Sequence, residues 1–138
     1  CESVAAKYPV LGEKKVCYAM DGLKLTLEQS PDVEIQARFY NGWTHDHYVT
    51  NVFLFFPDGT IGAMVINGPG CMHDSTMCEA GGLYKKCTTL FAKFGVRGVV
   101  DSAFATKNVD HFIQSAQTPP APGVAEGIII YKEATSVR

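Results

Sequence analysis

Two apolar segments joined by a tight turn constrain the fold of this chain more than any other feature. Residues 49–56 (VTNVFLFF) are rich in β-branched and aromatic side chains, which favour strands. Residues 57–60 (PDGT) have the chemistry of a β-turn, and residues 61–66 (IGAMVI) are again apolar. This order predicts an antiparallel β-hairpin.

Three further apolar runs, at residues 16–20, 96–100 and 127–131, are typical of parallel strands that are buried on both faces. Residues 23–28 alternate apolar and polar side chains, which predicts a half-buried strand after a turn at Asp21-Gly22. Residues 33–40 are expected to be extended. Combined with the hairpin, these runs predict a mixed sheet.

Helices are indicated at three places. Thr76 and Glu79 have the spacing of a capping box, and apolar residues between 83 and 94 trace one helix face that Gly95 is placed to end. Residues 109–113 suggest a further short helix. With 138 residues, 46% of them hydrophobic, the chain is expected to form a single α/β domain that spans residues 1–138. No apolar run approaches the roughly 20 residues that cross a bilayer.

The five cysteines follow no repeated spacing, and we expect reduced intracellular thiols that are mostly buried. The alternative is a zinc site formed by Cys71, His73 and Cys78. His45 and His47 would share one face of a strand, where two imidazoles can hold one metal ion. We expect instead that both histidines lie in a solvated loop.

Two aspartates that each follow an apolar run are the main candidates for chemistry, in Asp21-Gly22 and Asp101-Ser102. Ligand sites in open α/β sheets lie at the carboxyl ends of strands. Two carboxylates that meet there repel each other unless they share a proton or bind a cation. Magnesium prefers oxygen ligands, and two such ions can promote phosphodiester cleavage. The alternative is that both aspartates are turn or cap residues.

Residues 68–75 (GPGCMHDS) place Asp74 at the start of a helix, where the helix dipole favours an acidic residue. A capping role is the alternative to a role in the site.

These motifs, in this order, resemble those of DDE superfamily endonucleases of the Harbinger class of transposases. Asp21-Gly22 resembles the first motif, residues 68–75 resemble the "PG..HDS" motif, and residues 99–104 (VVDSAF) resemble the "gDsgy" motif. Residues 38–43 (RFYNGW) resemble the segment that precedes the hairpin. The resemblance implies an RNase H-like fold with a mixed sheet. It also implies that Asp21 and Asp101 are catalytic and that Asp21, Asp74 and Asp101 are metal ligands.

The same resemblance implies a final acid, usually a Glu, on a later helix. Glu133 is the possible third acid within the chain, and Glu126 is the other Glu in that region. We expect the true Glu to lie beyond Arg138. The chain would then be a C-terminally truncated domain that lacks the final catalytic helix and is itself inactive.

The function implied by the resemblance is a DNA endonuclease or transposase-like activity, with Mg²⁺ or Mn²⁺ as cofactor in a two-metal mechanism. A second hypothesis is a domesticated, non-catalytic relative that binds DNA or protein, and a third is an unrelated α/β binding domain. The net charge of -2 implies that affinity for DNA comes from other modules of the parent protein or from a separate DNA-binding partner. An intracellular, nuclear location follows from this interpretation.

Overall fold

The structure is a computed structural model, and it describes residues 2–104 and 110–114. Within these residues, helices and strands follow one another in the order α1 (Glu2–Lys7), α2 (Pro9–Glu13), β1 (Val16–Thr26), α3 (Val33–Phe39), β2 (Tyr40–Asn41), β3 (Asp46–Phe55), β4 (Ile61–Pro69), α4 (Asp74–Ala80), α5 (Leu83–Phe94), β5 (Arg97–Val100) and β6 (Phe112–Gln114). The α/β class predicted from the sequence is confirmed.

The strands of the described residues form one mixed sheet in the order β2-β3-β1-β5-β6, with β4 also paired to β3. β3 is antiparallel to β1, β2 and β4, whereas β1, β5 and β6 are parallel to one another. The antiparallel hairpin is therefore joined to the parallel strands through β1. This is the mixed sheet of an RNase H-like fold, as predicted.

The hairpin is formed by β3 and β4, as the sequence predicted. Asp58 stabilises its turn, because one carboxylate oxygen accepts hydrogen bonds from the backbone N–H of Thr60 at 2.9 Å and from its hydroxyl at 2.6 Å. Gly59 has a φ of 84°, a conformation that glycine adopts readily.

β1 continues through Asp21 and Gly22, where the sequence predicted a turn between two strands. Its antiparallel pairing with β3 is continuous from residue 19 to residue 26. The turn prediction was wrong because the partner strand supplies hydrogen bonds that keep this Asp-Gly pair extended. Asp21 therefore lies inside a strand and not at its end.

The main core lies between the sheet and the helices α4 and α5. Its buried members include Tyr18, Met20, Val52, Leu54, Met77, Leu83, Val100 and Phe104. On the opposite face, α2 packs Leu11 against Val16 and Val99. Farther along β1, Leu23 and Leu25 are exposed, so the strand prediction for this segment was correct but its predicted half-buried face was not.

The helix predictions had mixed outcomes. The predicted helix from 83 to 94 is α5, and it ends at Gly95, which has a φ of 66° and donates its N–H to the carbonyl of Phe91 at 2.8 Å. α4 begins at Asp74 and has no side-chain cap, so the predicted capping box at Thr76 and Glu79 was wrong.

Residues 33–39, predicted to be extended, form α3. Asp32 favours the helix, because its carboxylate accepts hydrogen bonds from the N–H groups of Glu34 at 2.9 Å and Ile35 at 3.2 Å. Two short N-terminal helices were also missed. Conversely, residues 112–114, predicted as part of a helix, form β6, because they pair with β5.

The predicted strand at 127–131 and the acids Glu126 and Glu133 lie outside the described residues.

Cys17 is disulfide-bonded, which corrects the prediction of reduced thiols for this residue, since sequence spacing does not reveal which sulfurs meet. Cys71, Cys78 and Cys87 are free. Among the described helices, none has the length and hydropathy of a membrane span.

Candidate functional site

Parallel pairing between β1 and β5 brings two of the predicted site residues to the same level of the sheet. Ala19 lies opposite Val99 in the register of these strands. Asp21 lies two residues after Ala19, and Asp101 lies two residues after Val99. The two aspartates are therefore level with each other on the two chain segments. β5 ends at Val100, so Asp101 lies at a carboxyl end of a strand, whereas Asp21 lies inside β1.

Asp74, the first residue of α4, places its carboxyl group directly over Gly22 of β1. A Cβ atom added to Gly22 would lie 2.7 Å from the Cγ atom of Asp74 and 2.9 Å from its Oδ1 atom. Atoms of these types do not approach so closely without displacement. Glycine at position 22 is therefore what allows the start of α4 to bring this carboxyl group onto the strand.

The surroundings of Asp74 favour its neutral form in the absence of a cation. Its Oδ1 atom is buried and has no hydrogen-bond partner among the described residues. Burial is the main cause that raises the pKa of this carboxyl group, and the nearby positive charge of Lys24 opposes it. The negative charges of Asp101 and Asp21 raise the pKa further. The three predicted acids are thus close enough to interact electrostatically.

Asp21 and Asp101 also make local hydrogen bonds. One oxygen of Asp21 accepts the N–H of Gly22 at 2.9 Å, and one oxygen of Asp101 accepts the N–H of Ala103 at 2.6 Å. The bond of Asp101 is the turn role that the sequence left open as an alternative. It does not exclude a role as a ligand, because a carboxylate offers about four acceptor positions on its two oxygens.

The three carboxyl groups do not converge from one direction. Side chains alternate along a strand, so Asp21 points away from the face of Gly22 on which Asp74 lies. Asp21 is exposed and borders an apolar cavity of about 370 Å³ that Phe53, Phe55 and Ile61 help to line. Accordingly, residues 2–104 and 110–114 contain no group of three or more His, Cys, Asp or Glu side chains positioned to hold a metal ion.

The donor set nevertheless suits a hard divalent cation. Carboxylate oxygens are the ligands that Mg²⁺ prefers in proteins. A bound cation would supply the missing partner of the buried Oδ1 atom of Asp74 and would offset the repulsion from Asp21 and Asp101. The described residues thus fit the metal in ligand type, and they provide an open site.

The zinc site suggested by the sequence is not formed. Cys71 is exposed and Cys78 is buried, and burial raises the pKa of Cys78 to about 12. Zinc binds the thiolate, which such an environment disfavours. The two histidines also diverge, since His45 lies in an exposed turn with a φ of 56° and His47 is buried in β3.

A cleft of about 540 Å³ opens beside Asp74. Residues 41–43 and 71–74 line it, together with Lys24 and Ala103. The sequence prediction did not include Lys24. Lys24 lies two residues after Gly22, so the two residues share one face of a continuous strand. The turn predicted at Asp21-Gly22 interrupted that strand and kept this relation from being noticed.

An RNase H-like sheet with carboxylates gathered around two adjacent strands is an architecture of polynucleotide nucleases. Residues 20–123 match the family model described as DDE superfamily endonuclease, and the chain belongs to this family. The match includes Asp21, Asp74 and Asp101 and is consistent with the Harbinger-class resemblance. No curated protein and no solved structure is significantly similar to the chain. Family membership suggests a nuclease or transposase-like activity on DNA.

Proposed function

We propose that the chain is a divalent-metal-dependent DNA endonuclease domain. Asp21 and Asp101 are its catalytic carboxylates, and Asp21, Asp74 and Asp101 are its metal ligands. The observation that carries the proposal is the buried Oδ1 atom of Asp74, which lacks a partner among the described residues and lies within the field of the other two carboxylates. A structural carboxyl group in such surroundings would be expected to have a hydrogen-bond donor.

Magnesium or manganese, when bound, would activate the attacking oxygen and stabilise the leaving oxygen of the phosphodiester. The protein's own contribution is to hold the ligands in place. The turn bond to Ala103 orients Asp101, and the close approach to Gly22 fixes Asp74. Lys24, on the cleft side, supplies a positive charge for the DNA backbone.

Metal binding by these residues is expected to be weak. Mg²⁺ keeps most of its water molecules when one or two carboxylates hold it, and the described residues contain no three-ligand group. We propose that a further acid is required for efficient cleavage and that this chain nicks DNA slowly or not at all. Glu133 is the possible third acid within the chain.

Calorimetric titration with MnCl₂ tests the metal site directly. Binding should be detectable in the wild-type chain and should be lost in Asp21→Asn and in Asp101→Ala. Asp58→Asn is a matched control, because Asp58 lies in the hairpin turn and its carboxylate is engaged by Thr60. Equal Mn²⁺ binding by the wild type and both site variants would refute the assignment of ligands.

A nicking assay on supercoiled DNA with Mg²⁺ or Mn²⁺ tests the activity. We expect at most slow nicking by this chain and its loss in Asp101→Ala. Robust nicking that disappears in Glu133→Gln would show that Glu133 is the third acid and that the chain is competent. Robust nicking that persists in Asp101→Ala would refute the catalytic assignment.

A second candidate is a non-catalytic relative that binds DNA or protein. Two observations favour it: the absence of a three-ligand group among the described residues and the net charge of -2. It predicts no Mn²⁺ binding at all, which the same titration measures. In both cases, strong affinity for DNA requires basic modules of the parent protein or a separate partner. We also propose that the protein is located in the nucleus, where its DNA substrate lies.

A further inference from the structure

Trp43 is the most exposed large hydrophobic side chain among the described residues, with 92% of its surface accessible to solvent. It is also the only tryptophan in the sequence. Single exposed hydrophobic residues are common on protein surfaces, so exposure alone implies no role. Two further observations make this residue different: the turn that carries it is closed by hydrogen bonds, and it lines the cleft.

Asn41 organises the turn. Its side-chain oxygen accepts hydrogen bonds from the N–H groups of Trp43 at 3.0 Å and Thr44 at 3.2 Å. Its side-chain nitrogen donates to the carbonyl of Gly70 at 2.7 Å. One side chain thus closes the turn and ties it to the segment that leads to Asp74. The backbone that carries Trp43 is therefore held beside the cleft.

A second cross-link lies at the other end of the turn. His45, which has a φ of 56°, contacts the hydroxyl of Tyr40 through its Nδ1 atom at 3.1 Å. Tyr40 in turn pairs with His47 of β3. The backbone of the turn is already ordered by these bonds. Binding of a ligand to the indole therefore costs the protein little conformational entropy.

The cleft relates Trp43 to the candidate metal ligands. Trp43 and Gly42 line this cleft together with His73, Asp74 and Lys24. Ala103, whose N–H is bonded to Asp101, also borders the cleft. A strand of DNA in this cleft would meet a flat aromatic surface, a positive charge and the carboxyl group of Asp74.

The neighbours of the indole indicate which chemistry it binds. Gly42, Thr44 and His45 are exposed and do not extend the indole into an apolar patch of the kind that protein partners occupy. A lone aromatic face beside a cationic group is typical of sites where a nucleobase stacks. Within a duplex the faces of each base are covered by its neighbours, so the base must be unpaired or extruded.

We propose that Trp43 stacks on an unpaired base of the DNA strand in the cleft and thereby positions the adjacent phosphodiester beside Asp74, on the side of the cleft where Ala103 is bonded to Asp101. This inference rests on the proposed nuclease function. It makes Trp43 a positioning residue and gives the site a preference for single-stranded or locally opened DNA.

Because Trp43 is the only tryptophan, its fluorescence reports binding without a label. The full chain is titrated at low salt and in EDTA with a short single-stranded oligodeoxynucleotide. Stacking predicts strong quenching of the indole emission. A matched oligonucleotide with abasic sites should quench weakly, because it retains the phosphates and lacks the bases. Equal quenching by both oligonucleotides would overturn the proposal.

Variants supply a second measurement, with the anisotropy of a labelled oligonucleotide as readout. We expect Trp43→Ala to weaken binding about tenfold, the effect typical of losing one stacked base. Trp43→Phe, which retains an aromatic face, should restore most of the affinity. Phe94→Ala is the matched control, because Phe94 is 65% exposed at the end of α5 and does not line the cleft. Unchanged affinity in Trp43→Ala would also overturn the proposal.

Failure of this proposal is distinguishable from failure of the nuclease function. Asp101→Ala should abolish Mn²⁺ binding and leave the quenching in EDTA unchanged. If metal binding and nicking are found but Trp43→Ala has no effect on affinity, the nuclease assignment stands and the stacking proposal is wrong. If quenching requires the bases but no metal binds, the stacking proposal stands and the domain is a DNA-binding relative.

Discussion

The close approach of Asp74 to Gly22 leads to a quantitative prediction for Gly22→Ala. The added methyl group would lie 2.7 Å from the Cγ atom of Asp74, so the carboxyl group or the start of α4 must move. Overpacking of this kind costs about 1–3 kcal/mol. Replacing glycine by alanine inside a strand returns about 0.5–1 kcal/mol through lower backbone entropy in the unfolded chain. We expect a net destabilisation of about 1 kcal/mol.

A double-mutant cycle tests whether Asp74 is the cause. In Asp74→Ala the space above Gly22 is free, so Gly22→Ala should then stabilise the protein by about 0.5–1 kcal/mol. The resulting coupling free energy is about 2 kcal/mol, which is within the range for residues in contact. Urea denaturation of the four proteins in EDTA measures it. Gly42→Ala serves as the control, because a Cβ atom at Gly42 meets nothing within 4 Å.

The reasoning would be refuted if Gly22→Ala destabilised both backgrounds equally. The methyl group would then clash with something other than Asp74, and the placement of this carboxyl group over β1 would be wrong. A second readout is Mn²⁺ affinity, which Gly22→Ala should reduce because it displaces a proposed ligand.

Three further predictions concern stability. Gly98→Ala should destabilise the protein by about 2–3 kcal/mol relative to Gly42→Ala in urea denaturation, because its methyl group would overlap the ring of the buried Tyr18; no loss of stability would contradict this packing. Asp32→Ala should lower the free energy of unfolding by about 1 kcal/mol through loss of the N-cap of α3, and Asp32→Asn should retain most of it. His111 lies between two phenylalanine rings, and burial lowers its pKa below the unfolded value of 6.5 while Asp110 opposes the shift. Its contribution to stability is therefore fully present above pH 6.5 and is lost as the pH falls through the lowered pKa. His111→Phe should make the free energy of unfolding less dependent on pH in that window, and an unchanged pH profile would contradict this origin.

Local chemistry in the sequence was sufficient for several elements. The hairpin from β3 to β4 was predictable because strand-forming residues flank a turn that Asp58 and Gly59 stabilise by themselves. α5 was predictable because its apolar residues repeat with the helical period and Gly95 ends it. The apolar runs at 16–20 and 96–100 marked β1 and β5, since strands covered on both faces have few polar residues.

The same local reasoning failed where a distant segment decides the conformation. Asp21-Gly22 is a turn signal, but β3 holds it in a strand. The segment from 109 to 113 has an apolar pattern that suggested a helix, yet β5 pairs with residues 112–114 and makes them a strand. Propensity differs by about 1 kcal/mol or less between such states, so hydrogen bonds and packing supplied by a neighbour override it.

The candidate site also has features that the sequence predicts and features that only the tertiary structure decides. Three aspartates could be singled out from the sequence because short motifs surround each of them, and the family match contains all three. Their arrangement could not be predicted. Asp101 lies level with Asp21 only through the parallel register of two strands, and Asp74 reaches β1 only because Gly22 leaves space for it. The burial that raises the pKa of Asp74, and the cleft that places Trp43 beside it, arise from segments far apart in the chain. They exist only when the sheet and α4 are packed together.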